Sequence, residues 1–511
     1  MSAPALRAVV AVVAVAFAAP FVYLVLRNAS QPDELRAALS SPRALEALGR
    51  SVLLGTCVAL ASAVLGSACA WTVVRTDVPG RRSWRVLLPL PLVIPSFIGA
   101  FALIAAFARG GLVDRLVGVH GLPVSGFAGA FFVLTLLTYP YVYLPVEARL
   151  RQLPRSLEES SRLLGRKGPA TFVRVVLPQL RGAILAGTLL VFLYTISDFG
   201  AVQLLRYDTL TRSIYANRLL DQPLSLALSL VLGLLALVVV AGERLFRGAS
   251  HVESTRGAKP LVLELGRARW LVAGLLALPV LLGLVAPTVV LVYWVVRGGG
   301  VDPGELIGPA LSTVGVSLAA AVAALVVVLP VAYLTVRHRS RLGELANAVV
   351  VAGFALPGLA VALALVYWTI DAPPPISNLY QTLPLLIFAY VVHFGAQTLR
   401  TTQVAVAGLP PSLEEAARSL GAGRTRRWLR VELPLATPAL LAGAGLVLLS
   451  TMKELPVTLL LAPAGFQTLA TKVWVSTEDA FFAEASAAAL VLIGLSAVLT
   501  WLLVLRSEAS L

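Results

Sequence analysis

Long runs of apolar residues alternate with short polar segments along the whole chain. A run of about 20 residues matches the thickness of a bilayer core, and a helix satisfies the backbone polar groups that hydrocarbon cannot. We therefore predict an all-α polytopic membrane protein. The first run resembles a signal peptide, but it is long enough to span and is predicted to be a transmembrane helix. The twelve predicted spans are 8–26, 51–74, 86–108, 127–146, 182–205, 223–242, 270–296, 311–336, 345–369, 382–399, 436–462 and 484–505.

The two halves of the chain repeat each other at an offset of 256 residues. Under this offset Leu153-Pro154 aligns with Leu409-Pro410, and Leu177-Pro178 aligns with Leu433-Pro434. Each half contains six predicted spans, and an even number gives both halves the same orientation, so the repeat is parallel. The predicted domains are a first membrane unit over 1–242, a polar linker over 243–269 and a second membrane unit over 270–511.

The composition excludes several classes of protein. Hydrophobic residues make up 58% of the chain and charged residues only 13%, with a mean hydropathy of +0.87. Soluble globular proteins contain about 25% charged residues. A water-soluble enzyme, a disordered chain and a nucleic-acid-binding module are therefore excluded.

The formal net charge of +15 is unevenly distributed. With the N-terminus in the cytoplasm, the predicted cytoplasmic segments contain 29 of the 41 Lys and Arg residues, and the external segments contain 11. Cytoplasmic loops of membrane proteins characteristically collect cations in this way. The asymmetry predicts that both termini are cytoplasmic, and it accounts for the positive charge without a nucleic-acid partner.

Residues that carry catalytic or metal chemistry are few and scattered. Cys57 and Cys69 lie in one apolar run, and the four histidines, at 120, 251, 338 and 393, show no metal-ligand spacing. The chain contains no G-x-x-x-x-G-K-[S/T] phosphate loop. We therefore predict no catalytic residue, no metal site and no cofactor in this chain, which is not an enzyme.

The repeat is strongest in two polar segments, 150–178 and 406–434, on the predicted cytoplasmic side. In each, a proline precedes a helix-favouring run, with Ser156 and Ser412 as candidate N-caps. A glycine then stands where a left-handed residue could end the helix. The prediction is a helix, a glycine turn and a second amphipathic helix at the membrane surface. The alternative is a pair of interfacial helices with no partner.

The spacing in these segments, EAA-x3-G-x9-I-x-L-P, resembles the signature of importer-type ABC transporter permeases. The first copy departs from it, with two serines in place of the two alanines, but both residue types are small. The resemblance implies a type I permease fold in which each loop docks a short helix into a separate ATPase subunit. The implied docking residues are Glu159, Ser160, Ser161 and Gly165 in the first loop, and Glu415, Ala416, Ala417 and Gly421 in the second.

The same resemblance implies the partners of the chain. Two copies of an ATPase subunit would hold ATP and Mg, and a periplasmic or lipid-tethered binding protein would deliver the cargo. The chain itself would be a multi-pass protein of the bacterial plasma (inner) membrane, surrounded by lipid. A secondary transporter, driven by an ion gradient, would need no docking loops, which favours the ABC class over that alternative.

Two passages after the loops, Ser197–Thr211 and Met452–Thr471, resemble the fused permeases of ferric-iron ABC importers. Fused permeases for thiamine and phosphonate contain similar passages, so these solutes are the alternatives to ferric iron. Both passages contain charge at membrane depth, where ionised groups cost about 2.5–3.5 kcal/mol and tend to face a cavity or the bundle interior. The candidate pathway or gate residues are Asp198, Lys453 and Glu454.

These charges admit two interpretations. Lys453 could neutralise Glu454 or Asp198 and so fix the two halves together, or the carboxylates could line a pathway as hard oxygen ligands suited to Fe3+. Pro456 removes a backbone donor directly afterwards, which predicts a kink or an unwound turn.

Overall fold

The structure, a computed structural model, describes residues 3–118, 124–165, 168–247, 262–299, 302–338 and 340–508. The described ranges are almost wholly helical, and the β pairing within them is an isolated parallel bridge between Thr76 and Leu263. Eleven helices are long and apolar enough to cross a membrane, or twelve if one bent pair counts as a span. The prediction of an all-α polytopic membrane protein is confirmed.

The helices are numbered in chain order. Those of the first half are α1 (Ala3–Ser30), α2 (Pro32–Ser40), α3 (Pro42–Arg75), α4 (Arg81–Leu87), α5 (Ser96–Phe107), α6 (Leu112–Val117), α7 (Phe127–Thr138), α8 (Pro140–Gln152), α9 (Arg155–Leu163), α10 (Gly168–Thr171), α11 (Leu177–Ser197), α12 (Gly200–Leu204), α13 (Leu210–Asn217) and α14 (Gln222–Arg247). Those of the second half are α15 (Arg269–Val280), α16 (Ala286–Arg297), α17 (Pro303–Arg337), α18 (Arg341–Ala355), α19 (Gly358–Asp371), α20 (Leu383–Ala407), α21 (Pro411–Ser419), α22 (Arg424–Arg427), α23 (Leu433–Met452), α24 (Pro456–Leu461), α25 (Leu469–Glu478) and α26 (Phe482–Glu508). Short 3-10 segments span Leu90–Val93, Gly266–Ala268 and Ser377–Leu379, and π-helical turns span Phe172–Val176, Leu281–Val285 and Trp428–Glu432.

The chain divides into two compact units that differ from the two sequence halves. The first span of each half belongs to the unit built mainly by the other half: α1 to the second-half unit, and α15 and α16 to the first-half unit. The predicted boundaries at 242 and 270 come from the sequence repeat. The compact units are defined by contacts between residues, and their boundaries are therefore different. The first-half unit is Leu39–Ala216 with Leu234–Arg297, and the second-half unit is Met1–Ala38 with Asn217–Gly233 and Gly298–Leu511.

In the first-half unit, α3, α8 and α11 pack against one another. Two glycines permit the close approach: a Cβ on Gly66 would lie 2.7 Å from the Tyr139 carbonyl oxygen, and one on Gly187 would lie 2.7 Å from Cα of Val142. Small residues at such crossings let helix backbones pack tightly where lipid provides no hydrophobic driving force. The Trp294 indole, on α16, donates to the Ala105 carbonyl at 2.9 Å and ties this exchanged helix to α5.

In the second-half unit, α17, α20 and α23 form the corresponding bundle, and α1 packs against α17, α18 and α19. Two hydrogen bonds hold elements that are distant in sequence. The Tyr23 hydroxyl donates to Asp371 at 2.8 Å, and the Asn28 amide donates to the Leu226 carbonyl at 3.3 Å.

The prediction of one continuous helix over 345–369 is wrong. Two helices, α18 and α19, meet there at 105°. Leu356 is extended, with φ −67° and ψ 131°, because a residue that precedes proline is disfavoured in the helical region. The predicted span 86–108 is broken in the same way, since α5 begins only after Pro95. Each half therefore starts a buried helix directly after a proline.

Candidate functional site: the repeated loops and the buried carboxylates

The first repeated loop has the predicted helix–turn–helix form. The short helix α9 ends at Leu163, and Gly165 follows with φ +79°, a conformation that favours glycine. The chain returns through α10 and a π-helical turn that continues directly into α11. Glu159 and Ser160 are exposed on α9, whereas Ser161 is buried.

The buried face of α9 is held by polar contacts. The Ser161 and Thr171 hydroxyl oxygens lie 3.1 Å apart and share a hydrogen bond. Glu158, one residue before the motif, forms an ion pair with Arg75 at 2.7 Å. The Arg75 side chain is 1% exposed and that of Glu158 is 6% exposed, so the pair is shielded from water.

The second loop repeats the backbone of the first. Helix α21 is followed by Gly421 with φ +74°, and a π-helical turn over Trp428–Glu432 leads into α23. This turn lies 256 residues after the turn at Phe172–Val176, so the offset found in the sequence holds for the backbone. Glu415 and Ala416 are exposed, and Ala417 is buried.

The second loop is held by different side chains. Arg427 Nε donates to Glu432 Oε1 at 2.9 Å, and the Tyr333 hydroxyl donates to the other oxygen of the same carboxylate. Arg337, the last residue of α17, donates to the Leu409 carbonyl at 2.7 Å. At the position of Ser161 stands Ala417, which has no hydroxyl, and at the position of Thr171 stands Arg427.

The structure corrects the predicted N-caps. Ser156 and Ser412 lie inside α9 and α21. Pro410 is the cap residue of α21, and Pro411 occupies the first turn, where the missing N–H of proline costs nothing. The sequence reasoning also missed Glu158. The signal was its position three residues before Ser161, which puts both on one face of a helix.

The first carboxylate, Asp198, lies where α11 has ended and the chain is extended. Its Oδ1 accepts the backbone N–H groups of Ala201 at 3.0 Å and Val202 at 3.4 Å, so it caps α12. The Ser96 hydroxyl, on the first residue of α5, donates to Oδ2. One buried carboxylate thus joins the starting ends of two helices, where the helix dipoles favour negative charge.

The second carboxylate, Glu454, has a corresponding place. Its two oxygens lie 3.2 and 3.0 Å from the Val457 N–H at the start of α24, which begins at Pro456 as the predicted break requires. Glu454 Oε1 also faces Gly358, the first residue of α19: a Cβ there would lie 2.9 Å from it. The same Cβ would lie 3.3 Å from His393 Nε2.

His393 is the residue that the sequence reasoning missed at this site. Like the other three histidines, it has no residues at metal-ligand spacing around it in the sequence. The imidazole and the Glu454 carboxylate converge on Gly358, where the absence of a side chain leaves room for both. Lys453 is the C-cap residue of α23 and is partly buried, and its predicted pairing with Glu454 or Asp198 stays a prediction.

The backbone beyond each carboxylate is anchored to its own unit in the same manner. The Leu210 N–H donates to Ser51 Oγ at 2.7 Å, and the Leu469 N–H donates to Thr313 Oγ1 at 2.8 Å. Ser51 lies on α3 and Thr313 on α17, the second span of each half. The repeat therefore includes the passages that carry charge at membrane depth, not only the loops.

Comparison with known proteins identifies one family. The model of the "binding-protein-dependent transport system inner membrane component" family matches twice, over residues 62–247 and 328–506. The first match contains the first repeated loop and Asp198, and the second contains the second loop and Glu454.

Three relatives illustrate the range of that similarity. The "Fe(3+)-transport system permease protein FbpB 2" of Haemophilus influenzae is 32% identical over 95% of this chain and 94% of its own. The "molybdenum transport system permease protein ModB" of Mycobacterium bovis is 31% identical over 40% of this chain and 81% of its own. The "probable sulfate transport system permease protein cysT" of Marchantia polymorpha is 25% identical over 40% of this chain and 73% of its own.

Proposed function

The chain belongs to the family of binding-protein-dependent transport system inner membrane components, and from this premise we propose that it is the permease of a ferric-iron importer. Its class, the permease subunit of an ABC importer, follows from the family. The cargo rests on one observation: the relative named for Fe(3+) matches both halves in one alignment over 95% of the chain. The relatives named for molybdenum and sulfate match about 40% of it.

ATP binding and hydrolysis take place on a separate subunit. Two copies of that ATPase dock on the two loops, one on α9 and one on α21, with Glu159 and Glu415 as exposed acidic contacts. The duplicated glycine turns and the exposed carboxylate on each short helix support this arrangement. A binding protein delivers cargo on the opposite face, and both termini lie in the cytoplasm with the cationic loops.

The two buried carboxylates act as gate elements of the pathway. Each is engaged by helix ends of its own unit, Asp198 by α12 and α5 and Glu454 by α24. A carboxylate that accepts these bonds still has free lone pairs, so a hard cation can contact it transiently during passage. Hydrogen bonds to the helix ends that are given up during this contact form again after the ion has passed. Lys453 lies beside Glu454 in the chain and contributes charge to the same gate.

Radiolabelled uptake tests the cargo. Cells with and without this chain are supplied with 55Fe3+, and in parallel with labelled thiamine and molybdate. Loss of iron uptake alone upon deletion is the expected result. Loss of thiamine or molybdate uptake instead, with iron uptake intact, would overturn the cargo while keeping the importer class. Uptake that persists with an ATPase-dead partner subunit would contradict the ATP-driven mechanism and favour ion coupling.

A further inference from the structure

We propose that Arg75 is a positioning residue that ties the first docking loop to α3, so that movement of the ATPase-bound helix α9 is passed directly into a membrane span. The proposal rests on the proposed function in one respect, the docking of an ATPase on α9. It adds an internal link through which the loop acts on a membrane span. This link lies on the buried face of α9, not on its exposed face.

The Arg75 guanidinium is the meeting point of three helices. Arg75 is the last residue of α3 and is 1% exposed. Its Nη2 lies 2.7 Å from Glu158 Oε1 on α9 and 3.5 Å from the carbonyl oxygen of Leu150 near the end of α8. One side chain therefore connects the end of a span, the docking helix and the helix that leads into the loop.

The backbone around Arg75 is itself fixed from the other side. The Leu263 N–H donates to the Arg75 carbonyl at 2.7 Å, and the Asp77 N–H donates to the Leu263 carbonyl at 3.1 Å. Asp77 Oδ1 accepts the Leu265 N–H at 2.8 Å. Arg81 donates to the carbonyls of Val73 and Val74, at 3.0 and 2.7 Å, and so caps the end of α3. Leu263 and Leu265, in the linker between the sequence halves, thus fix the backbone around Arg75.

Apolar packing does not make this link redundant. A cavity of about 600 Å³ lies beside the ion pair, and it is lined by Trp71 and Thr72 of α3, by Phe172 of the π-helical turn, and by Glu158 itself. Beside it the Trp71 and Phe172 rings meet edge to face with their centroids 4.6 Å apart, so one aromatic contact also joins α3 to the loop. The Arg75–Glu158 pair adds a buried polar connection from α3 to α9, whereas exposed pairs of mobile side chains contribute little.

The described side chains of the second loop make other contacts with the end of α17. Arg337, at the end of α17, reaches the backbone carbonyl of Leu409 instead, and Glu432 is held within the loop by Arg427 and from α17 by Tyr333. A change at Arg75 therefore alters one docking loop and leaves the other unchanged, which a general loss of stability would not do.

The experiment measures whether α9 and α3 move as one body. The full chain, in complex with its ATPase subunits in nanodiscs, carries spin labels at Leu60→Cys and Leu163→Cys in a background of Cys57→Ser and Cys69→Ala. Both label sites are exposed, and Leu60 lies 15 residues before Arg75, about 22 Å along the helix. Pulsed electron paramagnetic resonance gives the distance distribution with ADP and with ATP and vanadate.

The expected result is a narrow distribution, independent of nucleotide, in the parent protein and a broad, nucleotide-dependent one in Arg75→Met. Arg82→Met is the matched control, since it removes an exposed guanidinium on α4 without touching Glu158 or the end of α3, and it is expected to stay narrow. The charge reversal Arg75→Glu/Glu158→Arg is expected to restore the narrow distribution. Glu158→Gln tests the link from the loop side should Arg75→Met fail to assemble, and it is expected to broaden the distribution.

The coupling of hydrolysis to transport gives the functional readout. In Arg75→Met, the ions transported per ATP hydrolysed are expected to fall about 5-fold or more, the lower end of typical coupling factors, with the ATPase still bound. A distribution in Arg75→Met or Glu158→Gln as narrow as in the parent, or equal broadening in Arg82→Met, would overturn the proposal. The distance measurement needs no cargo, so a failure of the iron assignment would leave it intact and be recognised separately by absent 55Fe uptake in the parent protein.

Discussion

Replacing Gly358 with alanine is predicted to displace the Glu454 carboxylate from the start of α24. A Cβ at this position would lie 2.9 Å from Glu454 Oε1 and 3.3 Å from His393 Nε2. The closer of these contacts is shorter than a carbon atom tolerates, and the carboxylate is the mobile end of a flexible side chain. Glu454 therefore has to shift, and its bonds to the Val457 N–H are weakened.

The effect on stability is expected to be small because two contributions oppose each other. Loss of a helix cap costs about 0.5–2 kcal/mol. Alanine in place of glycine gains about 0.5–1 kcal/mol in a helix interior and less at this first helical position. The net destabilisation is then at most about 2 kcal/mol, which lowers Tm by no more than about 8 °C for a unit of this size. Transport responds more steeply, since about 1.4 kcal/mol in the barrier already changes the rate tenfold.

Two measurements on the purified complex separate these effects: thermal unfolding by tryptophan fluorescence, and 55Fe uptake into proteoliposomes. We expect Gly358→Ala to lose most of its uptake with little change in Tm. Adding Glu454→Asp, which shortens the side chain by one methylene, is expected to recover part of the uptake. Gly315→Ala is the matched control, because a Cβ there meets open space on α17, and it is expected to transport normally. Normal uptake by Gly358→Ala would refute the gate assigned to Glu454.

Three further predictions concern the loops. Glu415→Arg reverses an exposed charge on α21, and we expect the ATPase subunit to co-purify poorly while the chain remains in the membrane; normal uptake would contradict docking there. Ser161→Ala removes the hydroxyl pair with Thr171 and is expected to cost about 1 kcal/mol in thermal unfolding, whereas a matched change at the exposed Ser160 costs less than about 0.5 kcal/mol. Arg427→Met leaves the buried Glu432 carboxylate with the Tyr333 hydroxyl but without its cationic partner and is expected to cost up to about 3–5 kcal/mol, part of which Arg427→Met/Glu432→Leu restores; an unchanged Tm in Arg427→Met would contradict this role of the pair.

Hydropathy predicted the membrane spans well because length and apolarity are what a bilayer demands of a helix. It could not predict that 345–369 is bent by 105°, since both arms of the bend are apolar and the signal is a single proline, Pro357. The break at Pro456 was predicted because charge at 453 and 454 precedes that proline. Proline together with a charged neighbour at membrane depth is the stronger signal for an interrupted span.

Whether a site residue could be predicted depends on how far along the sequence its partners lie. The glycine turns at 165 and 421 were predictable because the left-handed conformation is a local property of the backbone. Glu158 and His393 were missed because what gives them a role is far away along the chain. Arg75 lies 83 residues before Glu158, and Gly358 lies 35 residues before His393. No local periodicity records such contacts, which arise only when helices pack.

Among the described side chains, the two loops share their exposed features and differ in several buried contacts. Both loops present an exposed glutamate, a small residue after it and a left-handed glycine. Inside, one loop uses a hydroxyl pair and the Arg75–Glu158 ion pair, and the other uses the Arg427–Glu432 pair. Because the halves are fused in one chain, each loop needs to fit only its own unit, and its internal contacts are free to diverge. If two identical ATPase subunits bind as proposed, they need two equivalent outer surfaces, and the shared exposed features meet that need.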